Sequence, residues 1–146
     1  MKTYTVGQEG QSLVEMIVII GMVVLLATGI VAGTTVSLSR SKTSQVRSNA
    51  LSFAQEGIEL ARKTRDSGWD AFALMGESET TYCVGSGGAW GASPCMVPNI
   101  DNKFTRSITL QPAPGSGISV TSKVVWGDTT NPLNKVELTT YLTQWR

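Results

Sequence analysis

The stretch that decides the fold runs from Leu13 to Leu38 and reads LVEMIVIIGMVVLLATGIVAGTTVSL, with Glu15 as its only charged residue. Its uninterrupted apolar part, Met16 to Val36, covers about 21 residues, or roughly 30 Å at 1.5 Å per residue, which matches the hydrocarbon core of a bilayer. Lipid offers the backbone no hydrogen-bond partner, so this segment has to be helical despite its Val and Ile content.

The rest of the composition is read against that segment. The chain has 146 residues, enough for one compact domain plus an anchor. Charged residues make up 16%, below the usual level of roughly 25%, and the deficit lies in the apolar run. A net charge of +1 without long basic runs lacks the electrostatic footprint of duplex binding, so no nucleic-acid site is expected. The absence of His removes the commonest general base and metal ligand. Ser is abundant, but no recognisable nucleophile elbow accompanies it. The expectation is a protein that is not an enzyme and has no cofactor and no metal site.

A secretory signal peptide would have a shorter apolar core and a small-residue cleavage site, which the following TTVSLSRSKTSQ does not offer. A plain single-pass anchor explains the apolar run equally well, but not what stands before it. The residues there are MKTYTVGQEG followed by QSLVEM: a short polar leader, a Gly, and a Glu just inside the apolar helix. This junction resembles the prepilin cleavage and methylation motif of type IV pilins and the related pseudopilins of type II secretion systems. That motif is a Gly, a cut, four mostly apolar or small residues and a Glu, matched here by Gly10, Gln11, Ser12, Leu13, Val14 and Glu15.

The resemblance implies cleavage between Gly10 and Gln11 by a membrane-embedded prepilin peptidase, and methylation of the new Gln11 amino group. Gln11 stands where the family most often has Phe or another apolar residue, a departure that bears on methylation more than on cleavage. Further partners implied are copies of this chain and other pilins in a filament, and a pilus assembly platform in the membrane. The precursor would sit in the cytoplasmic (inner) membrane with its N-terminus in the cytoplasm, and the product in an extracellular pilus or at the cell surface.

Glu15 also has a rationale of its own. A carboxylate in a membrane helix costs about 2.5–3.5 kcal/mol at the centre and less near the interface, so it needs a partner or a water route. The freed Gln11 amine would serve, within one helix or, as the resemblance implies, between neighbouring subunits. The simpler alternative is a Glu that snorkels to the headgroups. Gly29 and Gly33 have the small-xxx-small spacing that lets helices approach, although Gly is also common in membrane helices generally. Ala32 stands where many family members carry Pro, and Pro94 is the first proline of the chain. Lys2 alone precedes the run while Arg40, Lys42 and Arg47 follow it. By the positive-inside rule that asymmetry favours the opposite orientation, but long polar domains translocate largely regardless of charge.

Beyond the anchor, Leu51, Ala54, Ile58 and Ala61 recur at helical spacing, with Val46, Ala50 and Phe53 alongside. One helix from Gln11 to about Asp66, roughly 84 Å long, is the economical reading. Ser67 and Gly68 supply its stop, and Arg62, Lys63 and Arg65 suit the dipole of its last turn. Three period-two patterns predict strands: Phe104, Ile108 and Leu110; Ile118, Val120, Val124 and Trp126; Val136, Leu138 and Leu142. The separators PAPGSG and GDTTNPLN are turn-rich, so these strands should form an antiparallel meander that covers the apolar stripe of the helix. The fold class expected is α+β, a long N-terminal helix packed on a C-terminal antiparallel sheet, which matches pilin architecture. The ending VELTTYLTQWR looks like the last strand of small pilin-like proteins. The divisions are a leader at 1–10, a transmembrane half-helix at 11–38 and an extracellular head at 39–146.

Trp69 to Asn102 reads as a Gly- and Ser-rich connection carrying both cysteines. Outside the cell, Cys83 and Cys95 are expected to form a disulfide that closes a loop of about 13 residues and contributes about 3 kcal/mol. Trp69, Phe72 and Trp90 read as local core rather than partner anchors, and Asp101 and Asp128 as turn residues, no EF-hand spacing being present. The function expected is that of a structural subunit of a type IV pilus or pseudopilus. The alternative is a single-pass, membrane-tethered extracellular binding module that does not polymerise.

Overall fold

The apolar run and the amphipathic stretch after it form one element, α1 (Glu9–Ser67). The structure, a computed structural model, describes residues 9–95, 98–128 and 131–144, with side chains from residue 13 onward. Residues 1–8 of the expected leader, and the last two residues of VELTTYLTQWR, lie outside the described residues. Two compact units part between Thr43 and Ser44.

In the second unit α1 ends as its sequence suggests. Ser67 Oγ donates to Thr64 O (2.7 Å) and the Gly68 N–H to Arg65 O (3.2 Å), so the last carbonyls are satisfied locally. After Gly68 the chain enters a two-turn helix, α2 (Trp69–Met75), and then five strands. These are β1 (Thr80–Val84), β2 (Trp90–Ala92), β3 (Phe104–Ala113), β4 (Gly117–Trp126) and β5 (Lys135–Leu142). They make one antiparallel sheet in the order β2-β1-β3-β4-β5. The three expected strands and their meander are present, and the fold is α+β with the helix packed on the sheet. The connection from Trp69 to Asn102 is not merely a loop, because it contains α2, β1 and β2. Each is too short to display a period, and β1 shows no alternation of burial.

The sheet has two distinct faces. Phe104, Ile108, Leu110, Val120 and Val124 are buried against α1, where they meet Ala50, Ala54, Ile58 and Ala61. Leu51, expected on the same stripe, is 40% exposed. The stripe is centred on Ala50, Ala54, Gly57 and Ala61, which leaves Leu51 at its margin. Small residues in that row let the helix lie close to the sheet: a Cβ at Gly57 would collide with Ser122 Oγ and approach Arg106 Cδ to 3.1 Å. On the opposite face Thr81, Thr109, Thr121 and Thr139 form one row across β1, β3, β4 and β5. Their hydroxyls bond at 2.9 Å in the outer two pairs, Thr81 with Thr109 and Thr121 with Thr139.

Phe72 projects from α2 into the core and is fully buried, with Trp69 and Trp90 packed around the same cluster. Asp101 and Asn102 take φ of 49° and 51° in the turn that leads into β3, the left-handed region that Asp and Asn tolerate best among side-chain-bearing residues.

Candidate functional site

The first unit presents a helix with no apolar face turned inward. Every large apolar side chain from Leu13 to Leu38 is more than half exposed, from 51% at Ile19 to 73% at Leu25. The helix is long and apolar enough to cross a membrane, by length and composition. Its threonine hydroxyls are satisfied by its own backbone. Thr28 Oγ1 donates to Val24 O and Leu25 O (both 3.0 Å), and Thr34 and Thr35 donate to Val31 O and Ala32 O (both 2.9 Å). In water each of these side chains would carry the cost of its exposed apolar surface.

Glu15 is the one carboxylate on this surface. It is exposed, with neither a hydrogen bond nor an ion pair among the described residues. Gly10 and Gln11, the expected cleavage and methylation residues, lie on the helical backbone of α1, and their side chains are outside the described residues. Glu15, Met22, Leu26, Gly29 and Gly33 succeed one another along α1 at helical intervals. At about 100° per residue all five stay within roughly 40° of one line along the helix. The acid and the expected glycine pair therefore share a face. A Cβ added at Gly29 or Gly33 would meet nothing within 4 Å, so the room these glycines leave is unused within the chain.

The other expected pair belongs to the second unit. Cys83 on β1 and Cys95 after β2 form a disulfide with their Cα atoms 5.5 Å apart. It ties the segment leaving β2 to the strand that pairs with both β2 and β3.

One central residue of the head was not anticipated. Arg106 lies on β3 among the inward-facing positions and is fully buried. Its Nε donates to Val84 O (3.0 Å), Nη2 to Gly85 O (2.7 Å) and Nη1 to Phe53 O (3.0 Å), and Nη1 also lies 3.1 Å from Glu56 Oε2. Beyond the last β1–β3 pair, the Asn99 side chain takes the place of a strand partner. It accepts the Arg106 N–H (2.8 Å) and donates to Arg106 O (2.9 Å). The sequence did hold a signal: Phe104, Ile108 and Leu110 alternate with a gap at 106, and period two puts Arg106 on the core face.

The chain matches no family model, no curated protein and no solved structure.

Proposed function

We propose that this chain is a membrane-inserted structural subunit whose exposed apolar helix is released from lipid into a bundle of like helices. More particularly, we read it as a precursor of the type IV pilin or pseudopilin class, cut after Gly10 and assembled through Glu15. The observation that carries this reading is an apolar helix exposed on all sides with a lone acid at its start, placed at the fifth position after Gly10. Lipid accounts for the apolar surface but leaves the carboxylate costly, whereas a neighbouring subunit with a free Gln11 amine pairs it and holds the register of the bundle. The α+β head is compatible with that role, and its disulfide suits an oxidising exterior.

Expression with and without a prepilin peptidase, followed by mass spectrometry of the intact chain, tests the reading. Loss of MKTYTVGQEG and one added methyl on Gln11 are expected only when the peptidase is present. An N-terminus left intact in both cases would favour the non-polymerising tether. Glu15→Ala should insert normally and reduce sheared filaments at least tenfold, and a normal yield from that variant would refute the pairing role.

A further inference from the structure

The two edges of the sheet are finished differently. β2 has three residues, is followed two residues on by Pro94, which has no N–H to offer, and is tied back to β1 through Cys83–Cys95. β5 has eight residues, no proline and an unbroken register with β4. The Trp126 N–H donates to the O of Asn134 (3.1 Å), the residue opposite it just before β5, so the hydrogen-bonded pairs of β5 fall at Val136, Leu138, Thr140 and Leu142. Lys135, Glu137, Thr139 and Tyr141 therefore turn their N–H and C=O groups to the free edge, where none has a partner among the described residues. The side chains are unfinished at the same edge. Val136 and Leu138 point to the α1 side yet are only partly buried, and the open groove beside them is also lined by Leu51. Free backbone groups at two-residue intervals along an apolar groove fit another strand.

We propose that the added strand is β5 of a second copy, antiparallel to the first across a twofold axis at Leu138. β5 is complementary to itself in that register. Lys135 faces Tyr141, Val136 faces Thr140, Glu137 faces Thr139 and Leu138 faces its own copy, and each free backbone group of one edge meets one of the other. No like charges stand opposite each other. A slip of two residues one way sets Glu137 against Glu137, and the other way sets Lys135 against Thr143, beyond the end of the strand. In the paired register Leu138 and its copy cover each other on the α1 side. The direction of the strands says where the two copies stand. β5 runs the same way as the helix stretch over it, since the groove joins Ser44 and Arg47 to Lys135 and Val136, and further along Ile58 and Arg62 lie with Leu138 and Thr140. Antiparallel pairing therefore puts the Ser44 ends of the two heads, where each chain arrives from its apolar run, at opposite ends of the joined sheet. The partners are copies presented by facing surfaces, and not neighbours side by side in one membrane. The contact needs neither leader cleavage nor a filament, so it goes beyond the pilin reading.

Disulfide trapping of the full chain, reconstituted in two lipid-vesicle populations that carry isotope-labelled and unlabelled copies, tests the pairing. Facing residues of a non-hydrogen-bonded pair lie about 4.5 Å apart at Cα, within disulfide reach. Leu138→Cys should therefore link to its own copy, labelled with unlabelled, once the populations are mixed. Thr140→Cys, which faces Val136 of the other copy, should link to itself at least tenfold less. No link from Leu138→Cys, equal links from both positions, or links confined to copies of one population would each overturn the proposal. A second test acts on the exposed Tyr141 in the Leu138→Cys background. Tyr141→Lys sets two lysines opposite each other and should lower the link at least threefold, whereas Tyr141→Glu should raise it. A change of the same sign from both would refute the register. The Cys83–Cys95 peptide recovered intact from each variant confirms that the head has folded. The chain is used with its leader in place, so a failure to pair is read separately from a failure to be processed.

Discussion

A guanidinium with no exposed surface must obtain from the protein everything water would have given it, and Arg106 does so mainly from carbonyl oxygens. Glu56, its charge partner, is 45% exposed on the side chain and can return to solvent if the arginine is lost. The three carbonyls cannot relax so easily, since Val84 is itself buried and Phe53 lies inside a helix. Replacing Arg106 with Met should therefore cost about 2–4 kcal/mol, the penalty of stranding two or three buried acceptors. Glu56→Gln should cost under about 1 kcal/mol, as expected for a half-exposed ion pair. Thermal unfolding of both variants in the same detergent distinguishes the two roles. Equal losses would mean that the ion pair, and not the carbonyl bonds, holds the arginine.

At the scale of elements, what the sequence disclosed followed period and length. β3, β4 and β5 each alternate inward and outward positions over eight or ten residues, and the inward set is apolar apart from Arg106, Ser122 and Thr140, which still identifies both the strand and its face. The outward set, with Thr109, Thr121 and Thr139 in register, explains why the pattern was so clean: that face is open to water. α2 and β2 offered seven and three residues, and β1 is held by pairing on both edges rather than by alternation. Arg106 and Gly57 were missed for a related reason, since their roles depend on what faces them across the helix–sheet interface, which no local window contains. Gly57→Ala forces a methyl against Ser122 Oγ and should destabilise by about 1–3 kcal/mol, as overpacking does, despite the better helix propensity of Ala. Ser122→Ala removes a buried hydroxyl with no hydrogen-bond partner among the described residues and the closest of the colliding atoms. It should therefore recover part of the Gly57→Ala loss in a double-mutant cycle. Simple additivity of the two changes would show that the helix shifts rather than clashes. The Cys83–Cys95 bond belongs to this scale as well. Replacing both cysteines with Ala should lower stability by about 3 kcal/mol, read as the shift in unfolding between the variant and the oxidised chain.

For the whole molecule the central fact is that its apolar surface falls into two separate regimes. Among the described residues, the buried hydrophobic ones of the head lie between Ala50 and Leu142, while the large apolar side chains from Leu13 to Leu38 are exposed. The head's stability should therefore owe nothing to residues before Ser44, and the solubility of the full chain should depend on them almost entirely. A chain that starts at Ser44 keeps the helix stretch carrying Ala50, Ala54 and Ala61, and Ser44 is a residue type suited to cap its new end. That truncated chain should be soluble without detergent, form its disulfide, and unfold within about 1 kcal/mol of the head in the full chain, the scale of one helix cap. The full chain should sediment as aggregate unless detergent or lipid is supplied. Sedimentation velocity and circular-dichroism melts of the two forms provide the comparison. A truncated chain that aggregates or fails to melt cooperatively would mean that the apolar run contributes to the head, and would remove the ground for treating it as a surface kept for lipid and for neighbouring helices.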